Sequence, residues 1–205
     1  MKPPMIYLAS ASPRRRQILS QLGIAHEVLR VPAPEGEDEP QLPGEAADVY
    51  VRRTARDKAA RAAAWLASDA ARVQSPNTYP ILAADTTVIL DGLVLGKPVD
   101  HADAEHMLAR LSGNTHFVHT AVVLAHQDRF FEAVSVTEVR FAALSRTDIQ
   151  AYVETGEPMG KAGAYGIQGM AALFIAHISG SYTGVMGLPA FETGRLLQSV
   201  SCPPG

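Results

Sequence analysis

The chain has 205 residues, 47% of them hydrophobic, and its 18 Lys and Arg against 21 Asp and Glu leave a net charge of −3. A chain of this length and apolar content can bury a complete core, and its acidic balance argues against a protein that coats nucleic acid, which would need a basic face. Its one cysteine, Cys202, has no partner for an internal disulfide, and no apolar run is long enough to span a bilayer. We expect a cytoplasmic protein that forms a single domain over residues 1–205.

The first predicted elements are a buried strand and a helix. The strand is the apolar run Met5–Ala9, which leads through Ser10 into a helix that begins at Pro13. Ser12 is a suitable N-cap and Gly23 a suitable end for this helix. Its expected apolar face consists of Ile18, Leu19 and Leu22.

The charge at this helix start is unusual. Arg14, Arg15 and Arg16 fill the first turn, where the helix dipole is already positive and acidic residues would be favoured. Backbone N–H groups, hydroxyls and guanidinium groups together can bind a polyanion such as a phosphate chain. A solvated basic helix end is the alternative interpretation of the same residues.

An acidic segment follows a second predicted strand at Glu27–Val31. Glu37, Asp38 and Glu39 lie close together in a Pro-rich stretch that predicts a loop on the surface. Their carboxylates could hold a divalent cation through oxygen ligands. The other interpretation is an ordinary charged loop.

The longest predicted helix runs from Glu45 to about Arg72. Lys58 falls on its apolar stripe, where an unpaired charge is unfavourable. We expect the ammonium of Lys58 either to reach solvent along the edge of the helix or to meet an anion. The other members of the stripe are Val51, Ala55, Ala59, Ala62 and Leu66.

Two apolar runs separated by Asp91-Gly92 predict a β-hairpin with Leu90 opposite Leu93. Asp85 is anomalous, because a carboxylate within a run of Ile, Leu and Val must be paired, metal-bound or shifted in its pKa, and each of these is typical of a functional site. A structural aspartate that caps a turn is the alternative. In this register Lys97 lies at the same end of the hairpin but on the opposite face, unless a bulge at Gly96 brings both to one side.

The rest of the chain predicts a helix, a long hairpin, a capped helix, a strand and a closing helix. The helix that follows Ser145 begins with a capping box, and Phe191, Leu196 and Leu197 are expected to face inward in the closing helix. The histidines show no spacing typical of a metal site, and we interpret them as surface or packing residues. The helix begins after Asp100, the hairpin joins His116–His126 to Phe130–Ala142, the strand is Leu173–Ile178, and the closing helix is Pro189–Val200.

A glycine-rich segment at residues 160–169, GKAGAYGIQG, precedes that last strand. Four glycines in ten residues indicate close backbone approach, and Lys161 and Gln168 lie among them. The spacing is neither that of a Walker loop nor that of a dinucleotide fingerprint.

Taken together, four motifs resemble the Maf family of nucleoside triphosphate pyrophosphatases. They are LASASPRR, LAADT with LGKP, GKAGAYGIQG and GSYTGVMGLP, and they span about residues 6–190 in family order. The resemblance implies an α/β fold similar to that of Maf and ITPase-like proteins, with a mixed, twisted β-sheet flanked by helices and two lobes around a central cleft. It also implies a homodimer and the hydrolysis of a nucleoside triphosphate to monophosphate and pyrophosphate, dependent on Mg²⁺ or Mn²⁺.

The resemblance also implies roles for individual residues. Asp85 matches the catalytic carboxylate, which would bind the metal with Glu39, our choice within the acidic segment. The remaining expected catalytic residues are cations that handle phosphate, namely Arg14, Arg15, Lys58 and Lys97. The expected substrate-binding residues are Ser10, Ser12, Arg14, Thr86, Lys161 and Gln168, and of these Arg14, Thr86 and Gln168 match positions tied to base choice.

Within the family, KAGAYGIQG is similar to the branch that acts on dTTP and UTP, with modified pyrimidine nucleotides as further candidates. Such an enzyme would have a house-cleaning role, in which it removes unwanted nucleotides from the nucleotide pool, and could be linked to cell-division arrest. The alternatives are the branch that acts on 7-methyl-GTP and a nucleotide-sensing regulator of division without turnover. Two departures from the family pattern, Thr87 and Gly184, concern specificity more than activity because neither removes a charged group.

Overall fold

The computed structural model describes residues 3–32, 40–68 and 79–201. Seven strands within these ranges form one sheet in the order β2–β1–β3–β5–β6–β7, and β4 pairs with β3. The strands are β1 Ile6–Leu8, β2 His26–Val28, β3 Ile81–Leu90, β4 Leu93–Leu95, β5 Thr115–His126, β6 Arg129–Phe141 and β7 Ile175–Ser179. The helices are α1 Pro13–Gln21, α2 Ala47–Leu66, α3 His101–Leu111, α4 Arg146–Glu154, α5 Tyr182–Val185 and α6 Ala190–Ser201, with 3₁₀ turns at Ala162–Ala164 and Met170–Phe174.

The sheet is mixed. β1 is parallel to both β2 and β3, whereas β4 is antiparallel to β3 and β7 is antiparallel to β6. Helices α1 and α2 follow β1 and β2 in the chain and connect parallel strands, as parallel pairing requires. The α/β class and the mixed sheet with helices are therefore confirmed.

The hairpin of β3 and β4 has the predicted register. Leu90 pairs with Leu93, and Asp91 and Gly92 both have positive φ, at 53° and 78°, as a tight primed turn needs. Pairing stays regular up to Leu95 and ends there, before Gly96. Gly96 instead uses its carbonyl to accept a hydrogen bond from the N–H of Gly163 at 2.9 Å.

Packing divides the chain into two compact units. The first comprises Met1–Asp85, Ala121–Val134 and Gly187–Gly205, and the second comprises Thr86–Thr120 and Ser135–Met186. The core of the first unit confirms the apolar stripe of α2, because Val51, Ala55, Ala59 and Ala62 are fully buried there beside Tyr7 and Ile81.

The second unit has a core of its own. Its capped helix is confirmed: Ser145 accepts a hydrogen bond from the Asp148 N–H, and the Asp148 carboxylate accepts one from the Ser145 N–H. Ile149, Tyr152 and Val153 of this helix pack with Phe141 and Tyr165. An aromatic cluster therefore lies under α4.

Several expectations were wrong in detail. Phe191 is 70% exposed, although Leu196 and Leu197 are buried as expected, because five residues of a helix turn through about 500°, which leaves position 191 well away from position 196. Leu22 is 44% exposed, since it follows the last helical residue of α1. The second strand is His26–Val28, and Met170–Phe174 is a 3₁₀ turn, so β7 begins only at Ile175.

Some expectations concern residues outside the described ranges. These are the acidic residues Glu37, Asp38 and Glu39, the end of the long helix beyond residue 68, and Cys202. Among the helices of residues 3–32, 40–68 and 79–201, none has both the length and the apolar character needed to cross a membrane.

Candidate functional site

Lys58 and Asp85 form an ion pair in the first unit. The Nζ of Lys58 lies 2.6 Å from Oδ1 of Asp85, and the two side chains are 23% and 16% exposed. The pair joins α2 to β3, so the cation on the apolar stripe and the carboxylate in the apolar strand neutralise each other. Of the two outcomes expected for Lys58, the structure shows that it meets an anion.

Arg15 connects the start of α1 to the segment before α6. Its Nε donates to the carbonyl of Gly187 at 2.8 Å, and its Nη1 donates to Oγ of Ser10 at 3.0 Å. Burial lowers the pKa of Arg15, while the negative charge of Asp85 raises it and the charge of Arg14 lowers it again. Arg15 therefore interacts electrostatically with Asp85, and it holds the backbone of Gly187 next to the start of α1.

The two serines before α1 have different roles. Oγ of Ser10 accepts hydrogen bonds from the N–H of Ser12 at 3.2 Å and from Arg15. Its two lone pairs are therefore used, and it can bond to another group by donating its own proton. Ser12 occupies the N-cap position, but its side chain makes no capping bond, and the first turn of α1 contains no acidic residue. The positive dipole at the start of α1 is therefore not neutralised by a capping side chain or by an acidic residue of its first turn.

Arg14 has no hydrogen bond or ion pair with the part of the chain that the structure describes, although it is half-buried. Arg16, in contrast, is exposed. A half-buried guanidinium beside an uncapped helix start is the arrangement that favours an anionic ligand.

In the second unit, Thr86 belongs to a chain of hydrogen bonds. Its Oγ1 lies 3.0 Å from Oγ1 of Thr120, and the Thr120 hydroxyl donates to the carbonyl of Gly184 at 2.8 Å. The N–H of Gly184 donates to Oγ of Ser181 at 3.0 Å. Thr86, Thr120 and the turn at Gly184 are therefore held as one group.

Gly184 is also closely surrounded. A Cβ at this position would lie 3.0 Å from Oγ of Ser135 and 3.1 Å from Cβ of Ser181. A larger side chain here needs both serines to shift. Glycine at position 184 thus suits the two hydroxyl side chains next to it.

The glycine-rich segment contains Lys161 and Gln168, both in the second unit. Lys161 is half-buried, and its Nζ donates to the backbone carbonyl of Glu157, so this ammonium holds the segment itself. Gln168 is exposed, and so is Lys97, which makes no hydrogen bond or ion pair with the described residues. Sequence analysis did not single out Glu157, although a carboxylate directly before a glycine-rich run was a signal that could have drawn attention to it.

No group of three or more His, Cys, Asp or Glu side chains within the described ranges is arranged to hold a metal ion. Of the two expected metal ligands, Asp85 is described and Glu39 lies outside. His116, in the second unit, is fully buried, and its Nε2 lies 2.8 Å from the Tyr165 hydroxyl, so it is a packing residue.

Comparison with known proteins places these features in context. A family model described as "Maf-like protein" matches residues 5–200. The dTTP/UTP pyrophosphatase of Bordetella pertussis is 66% identical over 197 residues, which cover 96% of this chain and 93% of that protein. The dTTP/UTP pyrophosphatase of Burkholderia pseudomallei is 51% identical over 201 residues, with 96% and 93% covered, and that of Aromatoleum aromaticum is 49% identical over 213 residues, with 99% and 100% covered.

Among solved structures, the Staphylococcus aureus Ham1 protein matches with a TM-score of 0.39 and 12% identity over 68% of this chain and 72% of that chain. That likeness is too weak to inform the fold. The family match and the three relatives each span almost the whole chain. The chain belongs to the Maf family.

Proposed function

We propose that this protein is a hydrolase that splits dTTP and UTP into the nucleoside monophosphate and pyrophosphate. Relatives named dTTP/UTP pyrophosphatase are 66% and 51% identical to it over 96% of the chain. The observation that carries the proposal at the level of chemistry is the Lys58–Asp85 pair, a carboxylate held at 2.6 Å by an ammonium and within the field of Arg15. The activity needs such a carboxylate next to cations.

The proposed reaction is an attack of water on the α-phosphorus. The new bond forms between the water oxygen and this phosphorus, the bond from the phosphorus to the bridging oxygen breaks, and pyrophosphate leaves with that electron pair. Oδ1 of Asp85 is bonded to Lys58, so Oδ2 is the oxygen that accepts the proton of the water. The ammonium of Lys58 holds the carboxylate in place for this transfer.

Cations neutralise the charge that develops on the pyrophosphate. Arg14 is assigned to this role because it is half-buried and makes no hydrogen bond or ion pair with the described residues. Lys97 is assigned to it from the family resemblance and from its exposure. Arg15 contributes its charge but is held by Gly187 and Ser10, so its main part is to shape the helix start that receives phosphate.

A divalent cation such as Mg²⁺ or Mn²⁺ fits this arrangement. Mg²⁺ usually takes one or two carboxylates and keeps waters and substrate phosphates as its other ligands, so Asp85 and Glu39 are the two residues that would hold it. When bound, the ion would supply further positive charge to the phosphates. From the family resemblance we also propose a homodimer in the cytoplasm and a single domain over residues 1–205.

The test is release of pyrophosphate from dTTP in the presence of Mg²⁺, with Asp85→Asn as the decisive variant. The amide oxygen can still accept from Lys58, so the fold should be kept, but it cannot take a proton from water. We expect turnover to fall by about 10²–10⁴-fold. The matched control is Asp57→Asn on α2, where a half-exposed carboxylate pairs weakly with Arg53 at 3.4 Å, and its turnover should equal that of the wild type.

Two results would contradict the proposal. A folded Asp85→Asn variant that keeps most of its turnover would rule out Asp85 as the proton acceptor. Wild-type protein that binds dTTP and releases no pyrophosphate would instead indicate a nucleotide-sensing regulator.

A further inference from the structure

We infer that Glu157 is a positioning residue that holds the loop carrying Gln168 in one conformation and thereby sets the preference among bases. The inference rests on the proposed function. We use the name base loop for residues 157–170, which begin at Glu157 and end at Met170.

The carboxylate of Glu157 closes the base loop at both ends. Its Oε1 accepts from the hydroxyl of Tyr152 at 2.9 Å, and its Oε2 accepts from the backbone N–H of Met170, 13 residues later, at 2.9 Å. Its backbone carbonyl accepts from Nζ of Lys161. Three donors from α4, from within the loop and from its far end therefore converge on one residue.

The anchor on the α4 side is rigid. Tyr152 is 1% exposed and packs edge-on against Phe174, with the ring centroids 5.2 Å apart. Burial, and then the hydrogen bond to Glu157, raise the pKa of Tyr152. The hydroxyl of Tyr152 is thus a neutral donor, and it makes a stronger hydrogen bond with a carboxylate than with an uncharged acceptor.

Two of the four glycines of the base loop, Gly166 and Gly169, are explained by the side chains of Lys161 and Glu157. A Cβ at position 169 would lie 2.2 to 2.4 Å from the carboxylate atoms of Glu157, which is far inside contact distance. Gly169 has φ −110°, a value open to any residue, so it is the carboxylate that requires glycine there. At Gly166 a Cβ would lie 3.0 Å from Cδ and Cε of Lys161.

Gln168 lies between these two glycines and two residues before the N–H that Glu157 binds. A carboxamide can pair with the O4 and N3–H edge of a pyrimidine only in one orientation, and it discriminates between bases only while its backbone is held. The carboxylate of Glu157 holds this backbone at Met170, and the backbone carbonyl of Glu157 accepts from Lys161 on the other side. Without the carboxylate, the loop loses its hydrogen bonds to the Tyr152 hydroxyl and to the N–H of Met170.

The test compares kcat/KM for dTTP, UTP, CTP and GTP among variants of Glu157. Glu157→Ala removes both side-chain hydrogen bonds, and we expect KM for dTTP and UTP to rise by about tenfold with little change in kcat, so that the preference over CTP narrows. Glu157→Gln should restore most of the preference, because its amide oxygen can accept from Met170 while the Tyr152 hydroxyl turns to accept from its NH₂. Glu154→Ala, which removes an exposed carboxylate at the end of α4, is the matched control and should behave as the wild type.

A double-mutant cycle separates positioning from general damage. Gly169→Ala introduces a Cβ that displaces the Glu157 carboxylate, so it should shift the base preference in the same way as Glu157→Ala. In the double variant the carboxylate is gone and the Cβ has room, so the second substitution should add little to the first.

The outcomes are distinct. A narrowed base preference in Glu157→Ala and Gly169→Ala with non-additive effects supports the inference. An unchanged preference in both folded variants overturns it, as does an equal loss of kcat for all four nucleotides. If Glu157→Ala does not fold, the base preferences of Glu157→Gln and Gly169→Ala decide whether the inference holds. Wild-type protein that releases no pyrophosphate from any of the four nucleotides would overturn the proposed function itself.

Discussion

Acidification should destabilise the second unit through His116. This side chain is fully buried, its ring packs edge-on against Phe141 and Tyr165 with centroids 5.1 and 5.4 Å away, and its Nδ1 has no hydrogen-bond partner in the described part of the chain. Burial lowers the pKa of His116 from 6.5 to about 4. The neutral ring is the form that fits the folded protein.

The size of the effect follows from the two pKa values. The unfolded chain takes up a proton below about pH 6.5, whereas the folded chain resists it until about pH 4. The stability due to neutral His116 is therefore complete above pH 6.5 and is lost as the pH falls from 6.5 towards 4. The loss amounts to about 2 kcal/mol at pH 5 and about 3 kcal/mol in full.

The assay is urea unfolding at pH 7.5 and pH 5.0 for wild type and His116→Phe. The variant leaves the Tyr165 hydroxyl without its partner, but that penalty is present at both pH values and cancels in the comparison. We expect the wild type to lose about 2 kcal/mol more than His116→Phe between the two pH values. His106→Phe, at an exposed position on α3, should follow the wild type, and equal losses in wild type and His116→Phe would refute the reasoning.

Three further predictions concern the sites and the loop. Arg14→Ala should lower kcat/KM for dTTP by about 10–100-fold and leave the melting temperature unchanged or slightly higher, since it removes a cation from a positive helix end. Arg16→Ala should change neither quantity by much. A loss of several kcal/mol in the free energy of unfolding of Arg14→Ala would show that Arg14 has a structural role. Gly163→Ala should lower the free energy of unfolding in urea by about 2–4 kcal/mol, because its φ is 67° and the new Cβ would lie 2.9 Å from a valine side chain of β3. Gly160→Ala, with φ 72° and open space around the new Cβ, should lower it by only about 1 kcal/mol. Equal losses in the two variants would show that the contact with the valine has no cost. Gln168→Glu should narrow the preference for dTTP and UTP over CTP in kcat/KM, and a wild-type preference for 7-methyl-GTP would contradict the base assignment.

Elements with strong local signals could be predicted from the sequence. The Asp91-Gly92 turn fixed the register of β3 and β4, and the Ser145 capping box fixed the start of α4, because in both cases the residues that determine the structure are adjacent in the chain. The apolar stripe of α2 was equally clear, since helical spacing repeats over about four turns from Val51 to Leu66.

Contacts between distant residues were harder to predict. Local patterns indicated that Lys58 needed an anion or solvent and that Asp85 needed a partner. They did not join the two residues, which lie 27 positions apart, and only the family resemblance assigned both to one site. The one signal for Glu157 was its place before the glycine-rich run, because its partner at Met170 is a backbone N–H that carries no sequence signal. Phe191 shows that a hydrophobic residue in a helix is not by itself a core residue, because its angle around the helix axis decides whether it is buried.

The chain of hydroxyls at Thr86 has a fixed polarity. The carbonyl of Gly184 can only accept, so the one proton of Thr120 is directed to it, and the bond between the two threonines must be donated by Thr86. With its proton used in this way, Thr86 can offer any further group only a lone pair. A hydroxyl held in this way can accept from an N–H or O–H donor, but it can donate to an unprotonated oxygen only if its bond to Thr120 is broken.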